Sequence, residues 1–220
     1  MDLDTMVARF RADTRDTIAP YLWSDADIYS YIDEAQKEFC RLTGGLADAT
    51  STQCARVSVT AGEPFADISP LVLKIRGVFG ADGKPIEVLN FEDLVFDGIP
   101  SSVNLFADTT GTVRSVVVGM EPNKLKLIHT PDADQTLSLI VYRLPLEDIE
   151  GDSDELEIDA QHHLALLLWA RRLAHLKPDA EAYDRGRADQ YEKMFREYCF
   201  VASDEKARRE HKYRNVAFSW

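Results

Sequence analysis

Apolar residues recur at helical spacing from Ile28 through Tyr31, Ile32, Ala35, Phe39 and Leu42, which predicts an amphipathic helix over about 24–43. Ser24 stands before it as a cap with Asp27 three residues on, a shortened capping box, and Gly44-Gly45 supplies the stop. An earlier helix is expected over about 3–18, where Leu3, Met6, Val7, Phe10 and Ile18 share the apolar positions and Pro20 closes the segment.

From residue 55 the period changes from helical to alternating. Val57 and Val59 alternate with Ser58 and Thr60, and Ala61-Gly62-Glu63-Pro64 makes a turn. A strand over 71–79, a hairpin turn at Asp82-Gly83 and a partner strand over 85–89 follow. Asn90 is placed to cap a short helix through Phe96, ended by Gly98 and Pro100. Three further strands are expected at 113–118, 124–129 and 137–144, separated by Glu121-Pro122-Asn123 and Pro131-Asp132-Ala133-Asp134.

Helical periodicity returns near 157–176 and 179–200. Between Leu164 and Ala170 apolar residues run nearly all round the helix, so it sits either at the centre of its own bundle or under a neighbouring subunit. Tyr191, Met194, Phe195 and Tyr198 repeat on one face of the following helix. Lys177-Pro178-Asp179 is a short turn, and short turns join antiparallel neighbours. The expected fold is α+β: an antiparallel bundle of about four helices built from the two chain ends, a small antiparallel β-domain inserted between them, and an extended C-terminal arm. The corresponding segments are 1–50 for the first half of the helical body, 51–150 for the β-domain, 151–202 for the second half and 203–220 for the arm.

Charge narrows the partners. The 220 residues carry 25 Lys and Arg against 38 Asp and Glu, a formal net charge of −13. That balance argues against tight nucleic-acid binding, which draws much of its affinity from neutralised phosphates. Residues 203–220 reverse it, because Lys206, Arg208, Arg209, Lys212 and Arg214 outnumber Asp204, Glu205 and Glu210. Cys40, Cys54 and Cys199 are odd in number and far apart, which suits a reduced site of synthesis in a cytoplasm. The acidic start Met1-Asp2-Leu3-Asp4 does not read as a secretory signal, and Leu164–Ala170 is too short to span a bilayer, so no membrane is expected.

Little chemistry is spelled out. His162-His163 beside Glu157 and Asp159 invites a metal reading, since Asp159 and His163 stand one turn apart, but the three or four ligands of a metal site are not spaced for it. Acidic residues facing the positive end of a helix explain the pattern equally. Asp152-Ser153-Asp154-Glu155 lacks the glycine and the closing glutamate of a calcium loop. No phosphate loop, nucleophile elbow or Cys-x-x-Cys is present. No catalytic residue, metal or cofactor is expected, and the chain is not read as an enzyme.

In order and pattern the chain resembles the head-to-tail adaptor (connector, or head-completion) proteins of tailed bacteriophages. The segments carrying the likeness are Trp23–Ala35, Val141-Tyr142-Arg143-Leu144-Pro145, Leu156-Glu157-Ile158 with His162–Ala170, and Ala188–Phe195. The resemblance implies a structural virion protein at the head-tail interface, made in the host cytoplasm. It implies a ring of about a dozen copies, a dodecamer, beneath the portal protein, extending the DNA channel and offering a platform for a tail or nozzle protein. DNA would pass through the lumen without sequence-specific binding; the acidic body suits a wall that repels phosphates and equally suits a solvated outer face.

The tail is the candidate docking element. Tyr213, Val216, Phe218 and Trp220 put large apolar groups every second or third residue in a terminal segment, which is costly unless a surface covers them. That surface is either the chain's own bundle or another chain. In the family the C-terminal segment commonly reaches the portal, so the resemblance assigns a portal-docking arm to Arg208, Arg209, Tyr213, Arg214, Val216, Phe218 and Trp220. Leu166 and Trp169 are candidate ring contacts, with burial in their own core as the alternative. Two other classes are compatible with the sequence: a tail-tube or tail-completion protein of the same virion, and a cytosolic α+β enzyme. A small terminase subunit would need a basic helix-turn-helix, and no basic helix opens this chain.

Overall fold

Asp2 starts the first helix by accepting the Thr5 N–H at 2.8 Å, and α1 then spans Leu3–Thr14 with Leu3, Met6, Val7 and Phe10 buried. It ends earlier than its apolar pattern suggests, because Arg15 takes a left-handed conformation and its N–H returns to the Ala12 carbonyl. Ile18 is left 82 % exposed beyond that stop. A computed structural model describes residues 1–97, 109–178 and 182–210.

Helix α2 spans Asp25–Thr43 with the capping box formed in both directions: Ser24 Oγ accepts the Asp27 N–H, and Asp27 accepts the Ser24 N–H. Ile28, Ile32, Ala35 and Phe39 are buried as expected, whereas Tyr31 and Leu42 are half-buried and Gln36, Cys40 and Thr43 complete the face. The stripe drifts because 3.6 residues per turn carries the buried line from 39 to 43 rather than to 42. Gly44, at φ 83°, ends the helix.

Helix α4 (His163–Leu176) packs against α1, α2 and α5 (Arg185–Glu210). Those contacts explain its apolar girth from within the chain: Ala165, Leu166, Leu167, Trp169 and Ala170 are all buried, and only Leu164 in that run is exposed. Helix α5 begins later than expected, at Arg185, and runs ten residues beyond the expected end. Met1–Gly44, together with the described residues from Glu147 onward, forms one compact unit, and Gly45–Leu146 forms another.

The second unit is a mixed sheet that curls into a half-barrel. Its strands are β1 (Leu46–Asp48), β2 (Arg56–Val59), β3 (Phe65–Asp67), β4 (Val72–Phe79), β5 (Pro85–Asn90), β6 (Ser115–Val118), β7 (Lys124–Ile128) and β8 (Gln135–Arg143). They lie in the order β1-β8-β4-β5-β6-β7-β3, with β2 also on β8. The expectation of an all-antiparallel domain is corrected at the isolated parallel bridge of Thr110 with Thr130 and, among the strands, where β5 and β6 pair in parallel, Glu87 to Ser115 through Asn90 to Val118. The reason for the strand pair is the short helix α3 (Phe91–Asp97), which follows β5 directly. A chain leaving in a crossover returns in the same direction, where a hairpin would reverse it.

Residues buried inside the curl include Val57, Val78, Val116, Leu125, Leu127, Leu137, Leu139 and Val141, the alternate positions of their strands. Strands β1 and β3 have only three residues each, too few for alternation to reveal them. Gly45 introduces β1 at φ 87°, and a Cβ there would lie 2.9 Å from the Arg143 carbonyl oxygen, so the close approach of β1 to β8 requires glycine.

Candidate functional site

Helix α5 gives the helical unit its free surface. Ala188, Phe195, Cys199 and Ala202 face inward, with Phe195 fully buried 5.1 Å from the Trp169 ring. Tyr191 lies parallel to His175 at 5.8 Å, and Tyr198 meets His162 edge-on at 5.8 Å. Met194 was grouped with these residues by its spacing but faces outward, 51 % exposed. Phe200 at 76 % and Val201 at 55 % are also uncovered. Met194 and Val201 are seven residues apart, two turns on the same side, with Phe200 beside them. Sequence reasoning missed this patch because Phe200 and Val201 directly follow buried Cys199, and adjacency hides that they are out of phase with the 188–195–199–202 line.

The last turns of α5 are held by local ion pairs. Arg208 donates to Asp204 at 2.5 Å and Arg209 lies 3.9 Å from Glu205, both at i,i+4 spacing. Lys206 reaches the Thr43 carbonyl oxygen at 3.3 Å, satisfying a C-terminal orphan of α2. Residues 203–210, expected to begin an extended arm, are therefore helical: Ala, Glu, Lys and Arg favour the helix, and their charges complement one another along it. Arg208 and Arg209 stand exposed on that final turn. Tyr213, Arg214, Val216, Phe218 and Trp220 lie outside the described residues.

Leu166 and Trp169, the candidate ring contacts, are 0 % and 5 % exposed within the helical unit. The Arg172 guanidinium covers the Trp169 ring at 4.3 Å. Neither side chain offers a neighbouring copy an appreciable surface.

The histidine pair is wired into the fold. His163 places Nδ1 2.9 Å from the Met1 carbonyl oxygen and Nε2 2.7 Å from that of Ile158. His162 Nδ1 lies 2.9 Å from the Tyr198 hydroxyl, and its Nε2 lies 3.1 Å from Gln161 Nε2. Burial holds the His162 imidazole below its ordinary pKa, against the opposing pull of the Asp159 carboxylate. Asp154 accepts the Glu150 and Gly151 N–H groups at 2.7 and 2.9 Å, which lowers its pKa and makes the acidic stretch a capped turn. Among the described residues no three His, Cys, Asp or Glu side chains are grouped to hold a metal.

A family model described as SU10 adaptor protein matches residues 1–214. This chain belongs to the SU10 adaptor protein family. Its match spans both the helical unit and the half-barrel, including the stretch between Ala35 and Val141 that none of the resembling segments covers. No curated protein sequence matches it. Membership makes the chain a phage adaptor, a structural component of the virion. Among the described residues no helix is long and apolar enough to cross a membrane.

Proposed function

We infer that this adaptor assembles as a ring beneath the portal protein, extends the DNA channel and carries the attachment platform for a tail or nozzle protein. The observation that supports this best is α5. Its Met194, Phe200 and Val201 remain uncovered, and its basic last turn leads into a segment bearing Tyr213, Val216, Phe218 and Trp220. A docking patch on α5 is thus followed in sequence by a docking segment. The exposed patch suits the heterologous contact that a closed ring needs, in place of Leu166 and Trp169. The segment after Glu210 suits insertion into the portal, with Phe218 and Trp220 as buried aromatic anchors and Arg208, Arg209 and Arg214 at the rim.

The net charge of −13 supports a lumen through which DNA slides without being held. The ring is a dodecamer, makes no sequence-specific nucleic-acid contact and holds no cofactor.

Co-sedimentation with purified portal rings tests the reading, using the full chain and a version ending at Glu210, which leaves α5 whole. Binding by the full chain alone supports a docking arm. Equal binding by both moves the portal contact to the helical unit, and failure of both overturns the portal assignment.

A further inference from the structure

Strands β4 and β5 leave their shared hairpin as a fork. They pair only at Val78 with Ile86 and Phe79 with Pro85. Beyond that point β4 continues along β8, whereas β5 continues along β6. Among the described residues no strand pairs with the β5-facing edge of β4 from Val72 to Gly77, nor with the β4-facing edge of β5 from Glu87 to Asn90. Among the described residues, two backbone edges without a partner strand therefore border one cleft. Unpaired edges of this kind are templates for an added strand.

The cleft has a volume of about 510 Å3, within the range of about 300–1,000 Å3 typical of pockets that hold a ligand. Val72, Ile75, Val88 and Val118 line it, all half-buried and packed on the core of the half-barrel. Leu73 stands 40 % exposed beside them. An occupant that uses the edges is extended, and one that covers Val72, Ile75, Val88 and Val118 is apolar at every second residue, with Lys74, Asp93, Glu121 and Lys124 also lining the cleft.

One segment of this chain has that pattern. Val216, Phe218 and Trp220 alternate with Ala217 and Ser219. Ten residues follow Glu210, and ten extended residues reach about 33 Å, enough to leave α5 and still run the length of the open β4 edge. We propose that residues 211–220 of one copy add as a strand to the β4–β5 cleft of a second copy, with Val216, Phe218 and Trp220 on its apolar floor. This extends the portal reading, because one segment cannot occupy a portal and a cleft together. The cleft is its place in copies that have not met a portal, and portal binding releases it.

The test uses a fluorescent peptide of residues 211–220 and the full chain carrying Phe218→Ser and Trp220→Ser, so that its own tail does not compete. Saturable binding is expected, with slowed amide exchange across Val72–Gly77 and Glu87–Asn90. A peptide with serine at 216, 218 and 220 should not bind. Val88→Lys in the acceptor should weaken binding by about tenfold or more; if that variant misfolds, the exchange pattern of the parent acceptor decides alone. No saturable binding overturns the proposal, as does protection confined to the helical unit. The portal reading fails separately, by absence of co-sedimentation.

Discussion

The Arg143 Nε–H donates to Asp48 Oδ2 at 2.5 Å, with the two side chains only 10 % and 4 % exposed. The pair sits where β1 crosses the end of β8, Leu46 opposite Arg143 and Asp48 opposite Val141. Asp48 Oδ1 also accepts the Thr50 and Ser51 N–H groups at 2.9 and 3.0 Å, so one carboxylate fixes both the strand and the turn after it. Burial alone would raise the Asp48 pKa. The Ser51 and Thr50 hydrogen bonds and the Arg143 guanidinium outweigh it and hold the carboxyl well below the usual range.

Asp48→Ala takes one acceptor from the buried Arg143 guanidinium, which keeps its bond to the Leu144 carbonyl oxygen at 2.9 Å, and removes the acceptor of the Thr50 and Ser51 N–H groups. Removing one partner of a buried pair costs roughly 3–5 kcal/mol, and the loss is expected in the half-barrel. Urea unfolding followed by amide exchange of β1 and β8 measures it. An unchanged midpoint would show that the pair contributes nothing.

The same carboxylate gives the half-barrel a defined acid response. Its folded pKa lies below the unfolded value of about 3.9, so its stabilisation is fully present above that value. The contribution is lost progressively as pH falls from there through the folded pKa. Thermal melting of the parent should therefore drop below about pH 4, and the drop should be shallower in Asp48→Ala. Parallel pH profiles for the two proteins would refute the assignment.

Much of this fold is legible in the sequence. The cap at Ser24, the stop at Gly44 and the alternation in β2 and β8 each follow from local chemistry that the surrounding structure does not override. The parallel β5–β6 pair was not legible, because strand direction is set by what the connection does in space, and alternation is the same in both directions. The exposed Met194, Phe200 and Val201 were hidden for a related reason: composition says that a residue is apolar, but only packing decides which apolar residues are left over. The buried Asp48–Arg143 pair joins residues 95 positions apart, beyond any local pattern.

A second buried cation organises the segment between α1 and α2. Arg11 donates to Asp16 at 2.8 Å, to Asp25 at 2.6 Å and to the Trp23 carbonyl at 3.0 Å, and its guanidinium lies 3.8 Å from the centre of the Tyr21 ring. Asp16 in turn accepts the Leu22 N–H at 2.9 Å. Lysine keeps the charge but not the planar fork or the stacking. Arg11→Lys is therefore expected to cost about 2 kcal/mol and to speed amide exchange at Leu22 and Trp23. Unaltered exchange there would mean that the loop holds its shape without the guanidinium.

Cys199 offers a direct report on whether α5 stays seated. Its side chain is 1 % exposed, and burial, reinforced by the Glu38 carboxylate, pushes the thiol up to about 12. Cys40 and Cys54 are buried as well. A covered thiol is out of reach of a reagent, so none of the three should react with a disulfide reagent at pH 8 on the time scale of a free cysteine. Raising the pH to about 10 should not release Cys199 either, because that is still two units below its folded pKa. Modification must wait for opening, and its rate in increasing urea should follow the detachment of α5 from α4. Rapid labelling of Cys199 under native conditions would show that α5 leaves the helical unit before the rest unfolds. The patch at Met194, Phe200 and Val201 would then belong to a mobile element, and a ring contact built on it would have to form together with the docking of the helix.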